Sequence, residues 1–289
     1  MPEFLQLAAG TVSMRPYVFA FFAAYLLAAV PHLGWKRVAI FTLLGYLTAF
    51  ASEFSSINSG FPYGWYYYLD KTSNRELWIA GVPFFDSLSY VFLCYCSYGT
   101  AIFILSPLKT TGKAVHILET LSIRRSFSAL LLGSLLQVYL DIIIDPVALK
   151  GGRWFLGEIY GYREAGNHFG VPLSNYLGWW FVSAIMVFIL QRLAVSGFKN
   201  SSQPAGVCSF PGSSLLPALL YLAVIIFNLA IAVYIEELTI ATTGIFIVIL
   251  PLVMTLLLVA RRLNRYSRNE LAEHLRDFPW STAGSRNNR

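Results

Sequence analysis

The chain has 289 residues, of which 56% are hydrophobic and only 12% are charged, with a mean hydropathy of +0.59. This composition excludes an ordinary soluble domain and predicts a polytopic membrane protein. The formal charge is +6, but no folded basic domain is visible in the sequence, so a nucleic-acid partner is not expected. The 3 cysteines, Cys94, Cys96 and Cys208, show neither a disulfide pattern nor metal-ligand spacing.

Seven apolar segments follow a short lead of residues 1–14, and each approaches the roughly 20 residues that a helix needs to cross a bilayer. The first segment is too long for a signal peptide, and no clean cleavage site follows it. The predicted spans are residues 16–33, 37–54, 84–106, 126–146, 174–195, 214–235 and 238–260. The fold is therefore predicted to be all-α, with two aromatic, partly re-entrant outer loops between the spans.

The domain organisation follows from these spans. We expect one transmembrane helical domain over residues 1–262 and a polar cytoplasmic tail over residues 263–289. A Gly-, Ser- and Pro-rich linker, residues 197–213, precedes the sixth span. In the tail, the sequence NELAEHLRDF predicts a short amphipathic helix at the membrane surface.

Basic residues are divided unevenly between the two sets of loops. The set that includes the C-terminal tail holds Lys36, Arg37, Lys109, Lys113, Arg124, Arg125, Arg192, Lys199, Arg261, Arg262, Arg265 and Arg268. The other set holds only Arg15, Lys71, Arg75, Lys150, Arg153 and Arg163. Because cytoplasmic loops are enriched in Lys and Arg, this split predicts an external N-terminus and a cytoplasmic C-terminus in the cytoplasmic membrane.

The stretch from Asp141 to Trp180 combines charged, aromatic and glycine residues, and it begins and ends inside predicted spans. Asp141 and Asp145 are four residues apart and share one helix face, which Gln137 extends by one turn. An ionisable side chain inside a membrane span costs roughly 2.5–3.5 kcal/mol, so such residues are candidates for function.

Helix ends can also be predicted near this stretch. Pro146 directly follows Asp145 and predicts that the fourth helix ends close to that position. At the start of the fifth helix, Ser174 or Asn175 is expected to act as the cap.

Acidic residues of separate spans are predicted to lie at similar depths. Glu53 lies 16 residues after Arg37, and Asp141 lies 16 residues after Arg125, which is roughly 24 Å in a helix. Three more polar residues lie at the outer ends of their spans: Asp86, Asp145 and Asn175. The topology therefore predicts an acidic pocket near the outer face, beneath the two aromatic loops.

These acidic and aromatic residues also have structural interpretations. Asp86 and Asp145 occupy positions where a side chain can cap a helix end, and Glu53 and Asp141 can serve structural hydrogen bonds. The aromatic run WYYY at residues 65–68 is typical of an interfacial belt.

Other polar residues outside the spans carry weaker signals. Glu236 and Glu237 are interpreted as a solvated turn between two spans. His168, near Glu158 and Glu164, is more typical of a surface loop than of a metal site. We therefore expect no metal and no cofactor.

Buried carboxyl groups and aromatic rings suit the protonation of an unactivated alkene. A carboxyl group that is removed from water remains an acid near neutral pH, and a second carboxylate or amide can hold its proton or orient water. Aromatic faces stabilise a developing carbocation by about 2 kcal/mol or more each when water is excluded. The natural substrate for such a site inside a bilayer is a lipid-soluble isoprenoid.

Several sequence blocks resemble an integral-membrane carotenoid biosynthesis family that includes carotenoid 1,2-hydratases acting on gamma-carotene-type or bacterioruberin-type end groups. These blocks are GFPYGWYYY with GVPFFDSLSY, and the stretch from DIIIDP to NYLGWW, within residues 53–180. The resemblance implies addition of water to the terminal isopropylidene double bond of an acyclic end group, which gives a tertiary alcohol. It brings no catalytic residue with it, so the assignments that follow rest on the physical argument.

The predicted activity is therefore that of a cofactor-independent carotenoid hydratase. Asp141 and Glu53 are the candidates for proton donor and water-orienting base, in either order, supported by Asp145, Asp86 and Asn175. The residues expected to contact the substrate or its cation are Tyr66, Trp154, Trp179, Tyr63, Gln137 and Tyr90. The expected partners are a carotenoid or other long isoprenoid, membrane lipid, and other enzymes of the same pathway.

Two alternatives remain open at this point. A membrane terpene cyclase would use the same acid, with an internal alkene in place of water. A carotenoid- or lipid-binding scaffold, or a small transporter, would carry out no chemistry. Product mass separates the three, because hydration adds the mass of one water, cyclisation adds none, and a binding protein leaves the pigment unchanged.

Overall fold

The computed structural model describes residues 3–112, 114–196, 203–210 and 212–284. Two of the basic residues used for the predicted orientation, Lys113 and Lys199, lie outside these ranges, as do residues 197–202 and 211 of the linker. The described chain is mainly helical. Its α-helices are α1 (Glu3–Met14), α2 (Pro16–Leu33), α3 (Trp35–Ser59), α4 (Phe84–Leu105), α5 (Leu121–Arg124), α6 (Phe127–Ala148), α7 (Leu173–Val195), α8 (Leu216–Tyr234), α9 (Leu238–Arg262) and α10 (Arg268–Asp277).

The seven predicted spans are confirmed as helices α2, α3, α4, α6, α7, α8 and α9, each long and apolar enough to cross a membrane. The protein is therefore an integral membrane protein of the all-α class. Helix α4 is the centre of the bundle and is largely buried by its neighbours, whereas α9 is mostly exposed. The exposed apolar side chains of α9 suit contact with lipid.

Helix α6 ends at Ala148, close to Asp145 as the sequence predicted, but it continues through Pro146. Proline has no backbone N–H and cannot donate to the carbonyl of Ile142, four residues earlier. The Nε2 atom of His168 lies 3.2 Å from that carbonyl oxygen and supplies the missing partner. A loop histidine thus compensates for the proline, which explains why the helix can continue.

The predicted cap of α7 is wrong. Pro172 precedes the helix, and neither Ser174 nor Asn175 caps it with a side chain. The amide of Asn175 instead points into the bundle, towards carboxyl groups of α6. A cap and a buried amide are indistinguishable in the sequence because both favour asparagine near a helix start.

Short strands order the loops between the spans. The strands are β1 (Tyr66–Tyr68), β2 (Trp78–Ile79), β3 (Val82–Pro83), β4 (Leu108–Thr111), β5 (Ala114–Ile117) and β6 (Tyr160–Tyr162). They form three antiparallel pairs: β1 with β6, β2 with β3 and β4 with β5. The β1–β6 pair joins the two long loops, residues 60–83 and 149–172, over one end of the bundle, which we call the loop end.

Arg15 fastens α1 and α2 to these loops. The lead of residues 1–14 is helical from Glu3, and the fully buried Arg15 lies between the two helices. The Nε and Nη2 atoms of Arg15 donate to Glu76 at 2.9 and 2.8 Å, and Nη1 donates to the carbonyl of Leu156. One guanidinium therefore connects a helix junction to both long loops.

The opposite end of the bundle, which we call the tail end, carries the β4–β5 hairpin and α10. The predicted amphipathic helix is present as α10, and it begins with a capping box formed by Ser267 and Glu270. His274 of this helix is buried, and its Nδ1 atom lies 2.7 Å from the carbonyl oxygen of Glu119. The described part of the tail is thus packed against the bundle.

Candidate active site

A cavity lies beneath the joined loops at the loop end, between α2, α3, α4, α6, α7 and α8. Ten of the eleven residues singled out in the sequence line it: Glu53, Tyr63, Tyr66, Asp86, Tyr90, Asp141, Asp145, Trp154, Asn175 and Trp179. The eleventh, Gln137, is fully buried one helical turn below Asp141, outside the lining. The structure thus brings together predicted side chains from four helices and from both long loops. Their roles in catalysis stay predictions.

Asn175 joins the two aspartates of α6. Its Nδ2 atom donates to Oδ2 of Asp141 at 2.9 Å and to Oδ2 of Asp145 at 2.8 Å. The two carboxyl groups are one helical turn apart and are both buried, with exposed fractions of 1% and 7%. Like charges this close disfavour each other, so the pair tends to hold one proton between its two members.

Strand β6 adds two phenols to this pair. The hydroxyls of Tyr160 and Tyr162 both donate to Asp145, one to each carboxyl oxygen. Burial raises the pKa of Tyr160 and of Tyr162 well above the ordinary value, and the negative charge of Asp145 raises both further. The phenols therefore remain protonated donors, and with Asn175 they give Asp145 three hydrogen bonds.

A second carboxyl pair comes from α3 and α4. Glu53 is 1% exposed, and its Oε2 atom accepts a hydrogen bond from the hydroxyl of Ser87. Asp86, in the first turn of α4, accepts a hydrogen bond of 2.6 Å from the hydroxyl of Tyr68. Burial raises the pKa of Tyr68 well above the ordinary value, so this phenol also acts as a neutral donor.

Among the residues that the structure describes, none of these four carboxyl groups forms an ion pair with Lys, Arg or His. Their hydrogen-bond donors are phenols, a serine hydroxyl and an amide. Neutral donors can serve a carboxyl group without fixing it permanently as an anion, whereas a buried arginine favours only the charged form. The site therefore suits carboxyl groups that gain and lose protons.

Aromatic rings cover the rest of the cavity. Tyr90 and Trp179 are stacked, with ring centroids 4.2 Å apart and an interplanar angle of 6°, and Tyr63 lies 6.2 Å from Trp179. Tyr17 of α2 also stacks on Phe227 of α8 at 5.4 Å. The cavity thus combines buried acids with aromatic faces.

Three phenols that donate to the carboxyl groups, those of Tyr68, Tyr160 and Tyr162, were not predicted from the sequence, although Tyr66 was. Tyr66 and Tyr68 are two residues apart, as are Tyr160 and Tyr162, and the β1–β6 pairing aligns Tyr66 with Tyr162 and Tyr68 with Tyr160. Side chains alternate between the two faces of a strand, so all four rings share one face. The Tyr-x-Tyr spacing in both aromatic loops was the available signal.

Glu158, Glu164 and His168 give the sequence its one weak metal-binding signal. Within residues 3–112, 114–196, 203–210 and 212–284, no group of three or more His, Cys, Asp or Glu side chains is arranged to hold a metal ion. Glu158 pairs instead with Lys71 at the surface, which lowers its pKa.

Comparison with known proteins identifies the family. Residues 14–260 match the protein family described as carotenoid biosynthesis protein, so the chain belongs to that family and has a role in carotenoid biosynthesis. The matched region includes all the residues of the cavity. Neither the curated proteins nor the solved structures contain a significant match to this chain.

Proposed function

We propose that the protein is a carotenoid hydratase, which adds water to the terminal isopropylidene double bond of an acyclic end group. The observation that carries this proposal is the cavity itself, in which buried carboxyl groups with neutral hydrogen-bond donors face aromatic rings. Family membership supports a carotenoid as the substrate. The addition needs an acid, a surface that tolerates a cation, and a water molecule.

The acid in this proposal is Asp141. Asp145 accepts three hydrogen bonds, which is the pattern of an ionised carboxylate, whereas Asp141 accepts only one, from Asn175. The shared proton therefore resides on Asp141. Transfer of that proton to the less substituted alkene carbon leaves a tertiary carbocation.

The cation is held by aromatic faces and then captured. The stacked Tyr90 and Trp179 present π faces within the same cavity as Asp141. Water adds to the tertiary carbon, and the proton that it releases returns to a carboxylate. Glu53, which lines the same cavity, is the candidate for orienting that water or accepting that proton.

Expression in a lycopene-producing host, followed by mass analysis of the pigments, tests the proposed reaction. A hydratase gives a tertiary alcohol heavier by one water for each end that reacts, and the Asp141→Asn variant at equal protein level gives none. A cyclised product of unchanged mass would replace the hydratase by a cyclase that uses the same acid. Unchanged pigment that co-purifies with the protein would instead support a binding role.

We also propose that the loop end faces outwards, with the C-terminus in the cytoplasm. The support is the excess of Lys and Arg in the loops of the tail end. Cys208 is exposed, whereas Cys94 and Cys96 are buried, so labelling of native protein reports the tail end. A membrane-impermeant thiol reagent should label an Ala165→Cys variant in intact cells, and Cys208 only after lysis. The reverse pattern would place the cavity on the cytoplasmic side.

A further inference from the structure

Four buried polar atoms of α6 and α7 lack a hydrogen-bond partner in the described part of the protein. Gln137 is 0% exposed, and neither its amide nitrogen nor its amide oxygen has a hydrogen-bond partner in the described part of the protein. The same holds for Oγ of Ser183, also 0% exposed, and for Oδ1 of Asp141. A buried polar group that lacks a partner is destabilising, so three side chains of this kind on two packed helices need an explanation.

The packing of α6 against α7 places these groups together. The two helices run antiparallel, with Asn175 bonded to Asp145 at one point. Further along, a Cβ atom added to Gly133 would lie 3.4 Å from Cγ1 of Val187. Gln137 lies one turn after Gly133 in α6, and Ser183 lies one turn before Val187 in α7. Because the helices are antiparallel, Gln137 and Ser183 are at the same level. Asp141 lies one turn above Gln137, roughly 5.4 Å along the axis, on the same face.

We propose that Gln137, Ser183 and the Oδ1 atom of Asp141 form a water-binding site, and that water held there is the water that adds to the substrate. The inference rests on the proposed hydration. Buried waters typically make about three hydrogen bonds to otherwise unsatisfied polar groups, and an amide, a hydroxyl and a carboxyl oxygen provide that number. Asp141 lines the cavity, so water bound to its Oδ1 atom contacts a residue that faces the proposed substrate.

The reaction balances without any further reagent. Asp141 gives its proton to the alkene, and the tertiary cation forms. The oxygen of the bound water forms a bond to the cationic carbon, and one of its protons passes to a carboxylate, which restores the acid. If no water is in place, the cation loses a proton from an adjacent carbon to the carboxylate, and an alkene forms again.

This competition between water capture and proton loss defines the experiment. The purified protein is incubated with an acyclic carotenoid in D2O, and both the alcohol and the deuterium content of the recovered alkene are measured. We expect Gln137→Leu and Ser183→Ala to reduce alcohol formation at least tenfold while deuterium still enters the alkene, so that the ratio of exchange to hydration rises. Matched controls are Gln191→Leu and Ser134→Ala, two buried polar residues with backbone hydrogen-bond partners, which should leave the ratio at the wild-type value.

The outcomes separate this inference from the proposed function. A wild-type protein that neither hydrates nor exchanges deuterium would refute the hydratase itself. If the wild type hydrates and Gln137→Leu hydrates normally, water is bound elsewhere and the inference fails. It also fails if exchange and hydration fall equally in a folded Gln137→Leu variant, because Gln137 then supports the acid and not the water.

Discussion

Buried carboxylates at the two ends of the bundle are held by opposite kinds of partner. At the tail end, Glu119 accepts hydrogen bonds from Nε and Nη2 of Arg124 at 2.8 and 2.9 Å, and Nε2 of His32 lies 3.3 Å away. At the loop end, Asp145 is served by two phenols and an amide. Both carboxylates are buried, so burial does not distinguish them. They differ in the charge of their hydrogen-bond partners.

The difference determines what each carboxyl group can do. Burial alone would raise the pKa of Glu119, but Arg124 and His32 hold it well below the ordinary value of 4.5. Glu119 is therefore ionised at any physiological pH and serves as a structural anchor. A carboxyl group that must donate a proton cannot have such a partner. In the described part of the chain, none of the four cavity carboxyl groups forms an ion pair with Lys, Arg or His.

Glu76 shows that carboxylates at the loop end can also have an arginine partner. It lies on the same side of the bundle as the cavity, is fully buried, and pairs with Arg15 through two hydrogen bonds. Glu76 does not line the cavity. Acids outside the cavity are thus neutralised by arginine even at the loop end, which separates the residues that build the fold from those assigned to chemistry.

The largest effect is expected from the carboxyl groups without cationic partners. Asp141→Asn and Glu53→Gln keep the shape of the side chain but cannot donate an acidic proton. Each should lower the hydration rate about 10²–10⁴-fold, as for other general acid–base groups, in a folded protein that still binds pigment. Glu158→Gln, at an exposed surface pair, is the matched control. If both cavity variants hydrate at near-normal rates, Asp86 and Asp145 become the next pair to test.

Loss of the arginine partner of Glu119 should lower the stability of the protein and leave the rate of each folded molecule unchanged. Arg124→Met removes the cation and leaves Glu119 buried and uncompensated, which typically costs about 3–5 kcal/mol. Thermal unfolding in detergent should show the loss, while the rate per folded molecule stays at the wild-type value. A variant of normal stability would show that Glu119 is not held by this arginine, and the comparison would fail at the tail end.

The two phenols that donate to Asp145 should affect the hydration rate. Tyr160→Phe and Tyr162→Phe each remove a hydrogen bond to Asp145, and the proton shared with Asp141 then shifts towards Asp145. A hydrogen bond to a charged group is worth about 1.5–3 kcal/mol, so each variant should lose roughly tenfold or more in rate. Tyr67→Phe, on the other face of the same sheet and 46% exposed, is the control. Equal rates in all three variants would mean that the phenols do not tune the aspartate pair.

A smaller effect concerns the pH dependence of stability. The folded-state pKa of Glu119 is depressed, so its contribution is fully present above its ordinary pKa of 4.5 and is lost as the pH falls towards the folded value. Below pH 4.5 the wild type should therefore lose melting temperature more steeply than Glu119→Gln. Parallel slopes in the two proteins would show that Glu119 is not depressed by its partners.

The contrast between the two kinds of partner was only half visible in the sequence. Helical depth placed Glu53 and Asp141 correctly near one end, because rise per residue and the positions of basic residues fix the level of a side chain in a span. The partners could not be inferred in the same way. Tyr160 reaches Asp145 only because two loops pair as strands, and Arg15 reaches Glu76 across 61 positions of sequence. Such long-range pairing leaves no periodic signal in either partner.

The smallest effect is expected for Glu237→Gln, a paired carboxylate at the surface of the loop end. The sequence predicts a solvated turn, and in the structure Glu237 lies 2.6 Å from Nη1 of Arg153 and 3.5 Å from Nζ of Lys150. These cations are about half exposed, so water replaces the lost partner, and exposed ion pairs contribute only about 0–1 kcal/mol. Melting temperature and hydration rate should therefore both remain close to the wild-type values. A marked loss of rate would mean that this ion pair positions the loop over the cavity, and an arginine partner would then no longer separate anchoring acids from those that serve the reaction.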